Sequence, residues 1–275
     1  MSPARTRSKR DRRKGSPNGG STGGSERPAK ANAGRSAGSG KRRRHRLAFL
    51  RRRWVLYPLL LLVALGALPL LLTMVYRIEA VRPVSTLMLS RALAGEPVER
   101  RWVEIDEVAP RLYQSVMMSE DGQFCSHRGI DLRELRAVID DALEGERPRG
   151  ASTITMQTAK NLFLWQGRSF IRKGLEVPLA IWIDLVLPKK RIMEVYLNIA
   201  EWGPSGQFGI AAGADHHFGR APGNLTERQS ALLAVTLPNP HVRNPASPSA
   251  VLNAVADVIQ RRAARSGGYD WCLPD

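Results

Sequence analysis

The sequence predicts an all-α protein, with one N-terminal membrane-spanning helix followed by a helical domain. Trp54 to Tyr76 runs for 23 residues without a charge and is mostly Leu, Ala and Val. From Val108 to Arg265, apolar residues recur at helical spacing between turns marked by Gly and Pro. No β-hairpin signal and no internal repeat interrupts that pattern.

Residues 1–53 hold 18 of the 42 Lys and Arg and only Asp11 and Glu26 of the 25 acids, so they carry +16 of the formal +17. The segment is rich in Gly, Ser, Pro and Ala and reads as a disordered basic tail. Such a composition buries too little apolar surface to offset chain entropy. Residues 54–275 are left at +1, close to neutral. Binding of nucleic acid would need only the tail's charge. Membrane topology and attraction to anionic lipids explain that charge more simply, so no nucleic-acid partner is expected.

The 23 residues 54–76 would span roughly 34 Å as a helix, enough for a bilayer core. Trp54, Tyr57 and Tyr76 lie near its ends, where interfacial aromatics sit, and Pro58 and Pro69 are tolerable within it. The run is longer than the apolar core of a cleavable signal and reads as a retained anchor. Basic residues crowd Lys41 to Arg53, whereas only Arg77 and Arg82, with Glu79 between them, flank the other end. That asymmetry places the tail in the cytoplasm and residues 77–275 outside.

Residues 77–107 are expected to be a connector, broken by Pro83, Gly95 and Pro97, and 108–275 the main domain. Helices are expected at 108–119, 131–144, 152–164, 168–187, 189–200, 207–218, 226–236 and 248–265. Pro178 predicts a kink or a break in the fourth of these. Cys125 and Cys272, the only cysteines, face an oxidising compartment. A disulfide between them fits that setting, but the sequence gives no distance. Neither has the neighbours of a metal ligand.

Four polar clusters punctuate the helices. Glu120-Asp121 closes one helix, ahead of His127, Gly129 and a capping Asp131. Alone, this pair reads more readily as a solvated helix end than as a catalytic site. Arg149 to Asn161 opens another helix at Gly150 and Ser152, with Thr153, Thr155 and Gln157 in its first turns. Ser152 reads as its N-cap, and the free N–H groups of such a start favour phosphate or sugar oxygens. Arg168, Arg172 and Glu176 are spaced to share one helix face. Arg172 and Glu176 could be a plain surface ion pair, or could join Lys160 and Lys173 in holding a diphosphate. Lys189 to Asn198 puts Ile192, Val195 and Tyr196 at core spacing and reads mainly as scaffold.

Together these blocks resemble the motifs of the peptidoglycan glycosyltransferases of the lysozyme-like superfamily, glycosyltransferase family 51. The matching segments are Glu120 to Asp131, Gly150 to Gln157, Arg172 to Glu176 and Lys189 to Asn198, with a further block from Gly209 to Pro240. The likeness spans about residues 100–245 in the family's order. Met156 stands where the family often has a second Gln, which would remove one substrate hydrogen bond; Met193 replaces a Leu at conserved volume. No Ser-x-x-Lys occurs in the chain, and it ends 35 residues after Pro240, so the likeness is to monofunctional biosynthetic transglycosylases.

The resemblance implies a lysozyme-like glycosyltransferase domain that polymerises lipid II, a disaccharide-pentapeptide on undecaprenyl diphosphate, with inversion at C1. Glu120 matches the family's general base; to serve it must be ionised at neutral pH, which nearby Lys and Arg would favour. Glu176 matches a second acid near the reacting centre. Lys160, Arg168, Arg172 and Lys173 match basic positions for the diphosphate, and Ser152, Gln157 and Asn161 match sugar or phosphate contacts. His127 is expected to order the Glu120 loop. No obligatory cofactor is implied; Mg or Mn could assist the leaving group, but no ligand set is readable. The implied partners are lipid II, the nascent glycan strand, the membrane and proteins of cell-wall synthesis or division. The implied location is the bacterial inner membrane with the domain in the periplasm. The rival readings are a lysozyme-like hydrolase or lytic transglycosylase, which needs no diphosphate clamp, and an inactive membrane-anchored scaffold.

Overall fold

The computed structural model describes residues 40–144, 152–167 and 169–274. Most of the basic tail, Arg149 to Ala151 at the start of the second motif, and Arg168 therefore lie outside the described residues.

Helix α1 (Gly40–Tyr76) contains Pro58 and Pro69, and Thr73 Oγ1 donates to the Pro69 carbonyl at 2.7 Å. Its stretch Arg53–Tyr76 is long and apolar enough to cross a membrane. The stretch expected to be a plain connector carries α2 (Thr86–Leu93) and β1 (Glu99–Arg100). Ser85 caps α2 by accepting from the Met88 N–H, and Met88 is buried, which gives eight residues the local and tertiary support a short helix needs. Strand β1 pairs in parallel with β2 (Gln207–Phe208), in the register Glu99 to Gln207. A pairing of two residues a side carries no alternation long enough to read from sequence.

The core is helical. Pro110 opens α3 (Pro110–Glu120) at a position where its missing N–H costs nothing. Then come α4 (Leu132–Leu143), α5 (Ile154–Phe163), α6 (Phe170–Val186) and α7 (Lys189–Ile199). After β2 the chain forms α8 (Ile210–Phe218), α9 (Glu227–Thr236) and α10 (Ala250–Ala263). Pro178 lies inside α6, which remains one helix. The helix expected from 207 starts only at Ile210, because Gln207 and Phe208 pair with β1 and Gly209 turns the chain at φ 78°.

Helix α3 packs on α9 and α10, and α5 packs between α6 and α7. Arg191 to Ile199 of α7 is buried on every side, so this helix is the axis of the domain. Its polar groups are satisfied internally. Asn198 accepts from Val103 N–H at 2.9 Å and donates to the Val103 carbonyl at 2.8 Å, and Glu194 accepts from Ile105 N–H at 3.2 Å. These bonds use one amide and one carboxylate of α7 to hold the incoming chain as a strand partner would.

Candidate active site

Glu120 is the last residue of α3, and its neighbour Asp121 anchors the loop beyond it. Asp121 is nearly buried and accepts from His127 Nε2 at 2.9 and 3.0 Å and from Ile154 N–H at 2.9 Å. One carboxylate thus ties the Glu120 loop to the start of α5 and covers an N–H that the helix itself leaves free. His127 orders the loop, as expected, through Asp121. Gly129 has φ 80°, and a Cβ there would meet the Ala180 carbonyl oxygen of α6 at 2.5 Å. The loop lies against that backbone only because residue 129 is Gly. Asp131 Oδ1 accepts from the N–H groups of Arg133 and Glu134 at 2.9 and 3.2 Å, capping α4 as its sequence indicates.

The N-cap of α5 is Thr153, not Ser152. Its Oγ1 accepts from Met156 N–H at 3.1 Å and donates to the Gly129 carbonyl at 2.6 Å. That second bond requires the folded loop, which is why local sequence favoured the serine one residue earlier. Ser152 is left to face Lys173, whose Nζ donates to its Oγ at 2.5 Å.

Gln157 lies one turn into α5. Its Nε2 donates to Glu120 Oε2 at 2.9 Å, and its Oε1 accepts from Tyr196 Oη at 3.1 Å. Tyr196 is fully buried on α7, where its spacing reads only as core. A phenol two bonds from the carboxylate has no signal in a single sequence beyond a polar atom on an apolar face. Met156, beside Gln157, is buried at 3% exposure, so this departure from the family pattern fills packing space.

Burial pushes the Glu120 carboxyl above its ordinary range. Hydrogen bonds from Gln157 and Ser119, then the charges of Arg243 and Lys160, act in the opposite direction without overcoming it. The neighbouring cations favour the ionised form, in the direction expected from the sequence, but desolvation is the larger effect. A raised carboxyl is a stronger base once ionised, which suits it to accept a proton.

Next to it lies a charge cluster. Glu176 on α6 is buried and pairs with Arg172 and with Lys173 Nζ, the latter at 2.9 Å. Arg172 Nε also donates to the Gly167 carbonyl at 3.0 Å. Lys160 feels both acids: burial lowers its pKa first, Glu176 raises it, Arg172 and Lys173 lower it, and Glu120 raises it. Three cations against one carboxylate leave the cluster with net positive charge. Asn161 is half-buried beside Lys160, with its backbone carbonyl taken by Thr86 Oγ1 at 3.2 Å. Among the described residues no side-chain bond joins Asn161 to the cluster. Of the nine residues singled out by sequence, seven therefore gather around α3, α5 and α6, Asn161 adjoins them, and Arg168 lies outside the described residues.

A cavity of about 720 Å³ opens at Glu120, Asp121, Ser152 and Thr153. Its far lining comes from the C-terminal region. That region is fastened to the loop after α3 by a disulfide between Cys125 and Cys272, with Cα atoms 5.6 Å apart, and to α3 itself by hydrogen bonds. Arg111 donates to the Ala263 carbonyl at 3.0 Å, Gln114 to Asp270 at 2.8 Å and Tyr113 Oη to the Pro274 carbonyl at 2.9 Å.

A half-buried carboxylate poised at a cleft beside a net-positive cluster is the arrangement of an enzyme that moves a proton while an anion departs or binds. The family model described as Transglycosylase matches residues 87–264. The chain is 58% identical to the biosynthetic peptidoglycan transglycosylase of Mesorhizobium japonicum over 81% of its own length and 94% of the relative's. It is 58% identical to the protein of that name from Brucella suis, covering 78% and 95%, and 56% identical to that of Rhizobium meliloti, covering 82% and 93%. The chain belongs to the transglycosylase family, in the branch of the biosynthetic peptidoglycan transglycosylases, and is a glycosyltransferase enzyme.

Proposed function

We propose that the enzyme polymerises lipid II into β-1,4-linked glycan strands, releasing undecaprenyl diphosphate, and that it does so without transpeptidase activity. The observation that carries this reading is the pairing of a half-buried, hydrogen-bonded Glu120 with the Lys160, Arg172, Lys173 and Glu176 cluster. In the reaction, the 4-hydroxyl of the acceptor GlcNAc attacks C1 of the lipid-linked MurNAc, and the C1–oxygen bond to the diphosphate breaks. Glu120 takes the hydroxyl proton. Attack on the face opposite the leaving group inverts the anomeric centre from α to β.

The departing diphosphate gathers negative charge, which preorganised cations stabilise without reorganising at the moment of reaction. Lys160, Arg172 and Lys173 supply them, joined by Arg168 on the strength of its sequence position. Glu176 holds Arg172 and Lys173 in place and keeps mutual repulsion of the cations down. Ser152 and Gln157 offer polar contacts to sugar or phosphate oxygens. Among the described residues no group of three or more His, Cys, Asp and Glu stands together to hold a divalent cation.

A polyprenyl-linked substrate stays in the bilayer, and the protein is built to work there. Besides α1, helix α6 exposes Phe170, Ile171, Leu175, Ile181 and Leu185. Trp182 Nε1 donates to the Leu70 carbonyl of α1 at 3.2 Å, and Arg77 donates to the Val186 carbonyl at 3.1 Å, which sets this apolar face beside the anchor. The anchor, with its tail in the cytoplasm, would hold the site at the outer face of the inner membrane.

The test is incubation of the full-length protein, in detergent or vesicles, with purified lipid II. Long glycan strands and free undecaprenyl diphosphate are expected. Shortening of preformed glycan with no polymer from lipid II would establish a hydrolase or lytic enzyme instead.

A further inference from the structure

The cavity beside Glu120 has a lining that glycosyl transfer by Glu120 and the basic cluster leaves unused. The start of α4 contributes Asp131 and Glu134, while the end of α10 and the turn after it contribute Arg262, Arg265 and Tyr269. Arg265 and Tyr269 lie past the last residue that the family model matches. Among the described residues neither Arg262 nor Arg265 has an ion-pair partner, although Asp131 and Glu134, besides Glu120 and Asp121, line the same cavity. Tyr269 is 47% exposed.

Loose arginines at a helix end commonly do no more than complement its dipole. Here the segment that carries them is fixed to the catalytic helix. Asp270 accepts from Gln114 on α3 and from Ser266 Oγ at 3.0 Å, and Cys272 is joined to Cys125, five residues after Glu120. Five residues of sequence and one covalent bond therefore separate the proposed base from Cys272, which follows Tyr269 of this wall by three residues. A cleft lined by both guanidinium and carboxylate groups, at about 720 Å³, is sized for a small-molecule or short-peptide ligand that carries both signs of charge.

We propose that this cavity is a subsite for the peptide stem of the glycan substrate. It takes a zwitterionic peptide, with carboxylates on Arg262 and Arg265, amine toward Asp131 and Glu134, and an amide or apolar face against Tyr269. This rests on the lipid II reading, because the sugar whose bond is made at Glu120 is the one that would bring its peptide into reach. The disulfide then has a role in the site as well as in the fold: it keeps the peptide-binding wall in register with the base. Sugar transfer itself does not require the subsite, so its contribution falls on substrate affinity.

The experiment uses the full chain and two lipid-linked disaccharide diphosphates, one bearing the pentapeptide and one with its lactyl group capped as a simple amide. Steady-state polymerisation is compared between the wild type and R262A/R265A, whose exposed side chains can be removed without opening the core. With the peptide-bearing substrate the variant is expected to lose about tenfold or more in kcat/KM, mainly through KM. With the capped substrate variant and wild type should agree within about twofold, and the wild type should lose a similar factor on the capped substrate. Equal losses on both substrates, which would mean the arginines serve the diphosphate or the fold, overturn the proposal. No loss on either overturns it as well. Failure of the wild type to polymerise either substrate overturns the lipid II reading itself and is a different result.

Discussion

Gln157 holds Glu120 from one side only: its Nε2 donates to Glu120 Oε2 at 2.9 Å while its own oxygen is occupied by Tyr196 at 3.1 Å. With both ends of the amide committed, its donor end is fixed toward the carboxylate. Among the described residues Glu120 Oε1 has only the long 3.4 Å contact from Ser119 and remains the freer oxygen. The geometry thus distinguishes an oxygen that is held from one that can take a proton.

Glu120→Gln keeps the size of the side chain and removes the base, so polymerisation is expected to fall by about 10²- to 10⁴-fold. Its stability should move the other way. Burial raises the folded-state pKa of Glu120 above the unfolded one. Between those two values the folded state binds more protons than the unfolded state, so stability falls as pH rises through the window and stays lower above it. The variant escapes this cost and should melt above the wild type at neutral pH, with the gap closing below about pH 4. Melting curves across pH test this; a variant less stable than wild type at neutral pH would contradict it.

Gln157→Ala removes the largest influence that favours the charged form of Glu120, so the carboxyl should rise further. The acidic limb of the kcat/KM profile is expected to shift to higher pH. Tyr196→Phe leaves Gln157 in place with one anchor fewer and should shift the limb less, in the same direction, at a stability cost of about 1 kcal/mol. Profiles that overlie the wild type in both variants would show that Gln157 does not tune the base.

Glu176→Gln strips the counter-charge from Arg172 and Lys173. Removing one partner of a buried pair costs about 3–5 kcal/mol, and the 42% exposure of Lys173 brings the expectation down to about 2–3 kcal/mol in urea denaturation. Lys160 also loses the carboxylate that most raises its pKa. Activity should therefore fall more steeply than wild type at alkaline pH, where Lys160 gives up its proton first. A variant with wild-type stability and an unchanged alkaline limb would count against the cluster.

Opening the Cys125–Cys272 bridge, by reductant or by Cys272→Ser, releases a loop with a sequence separation of 147. The expected loss is about 2–5 kcal/mol, read as a lower midpoint in denaturant. Thiol alkylation and mass measurement before and after reduction check that the bridge was present. Unaltered stability on verified reduction would mean that the bonds from Arg111, Gln114 and Tyr113 alone hold the C-terminal segment.

The helices of this domain were legible because each has local marks. Pro110 opens α3, Asp131 caps α4, and the Thr226–Gln229 capping box starts α9. Helix α2 and the β1–β2 pair were not, since eight residues and two residues a side carry too little periodicity and draw their support from distant partners.

By itself the sequence determined the helical class, the apolar span before the domain, and the kind of chemistry: a carboxylate, a basic cluster and a polar helix start in a recognisable order. Spacing along a chain conveys which residues are near each other only within an element. The tertiary structure decided the rest. It moved the α5 cap from Ser152 to Thr153, since only the folded loop offers the Gly129 carbonyl. It turned Tyr196 from a core residue into the anchor of Gln157, and let burial outweigh the cations at Glu120. It also brought Cys272 to Cys125 and Arg262 to the cleft, joining segments far apart in sequence through packing that no local pattern encodes.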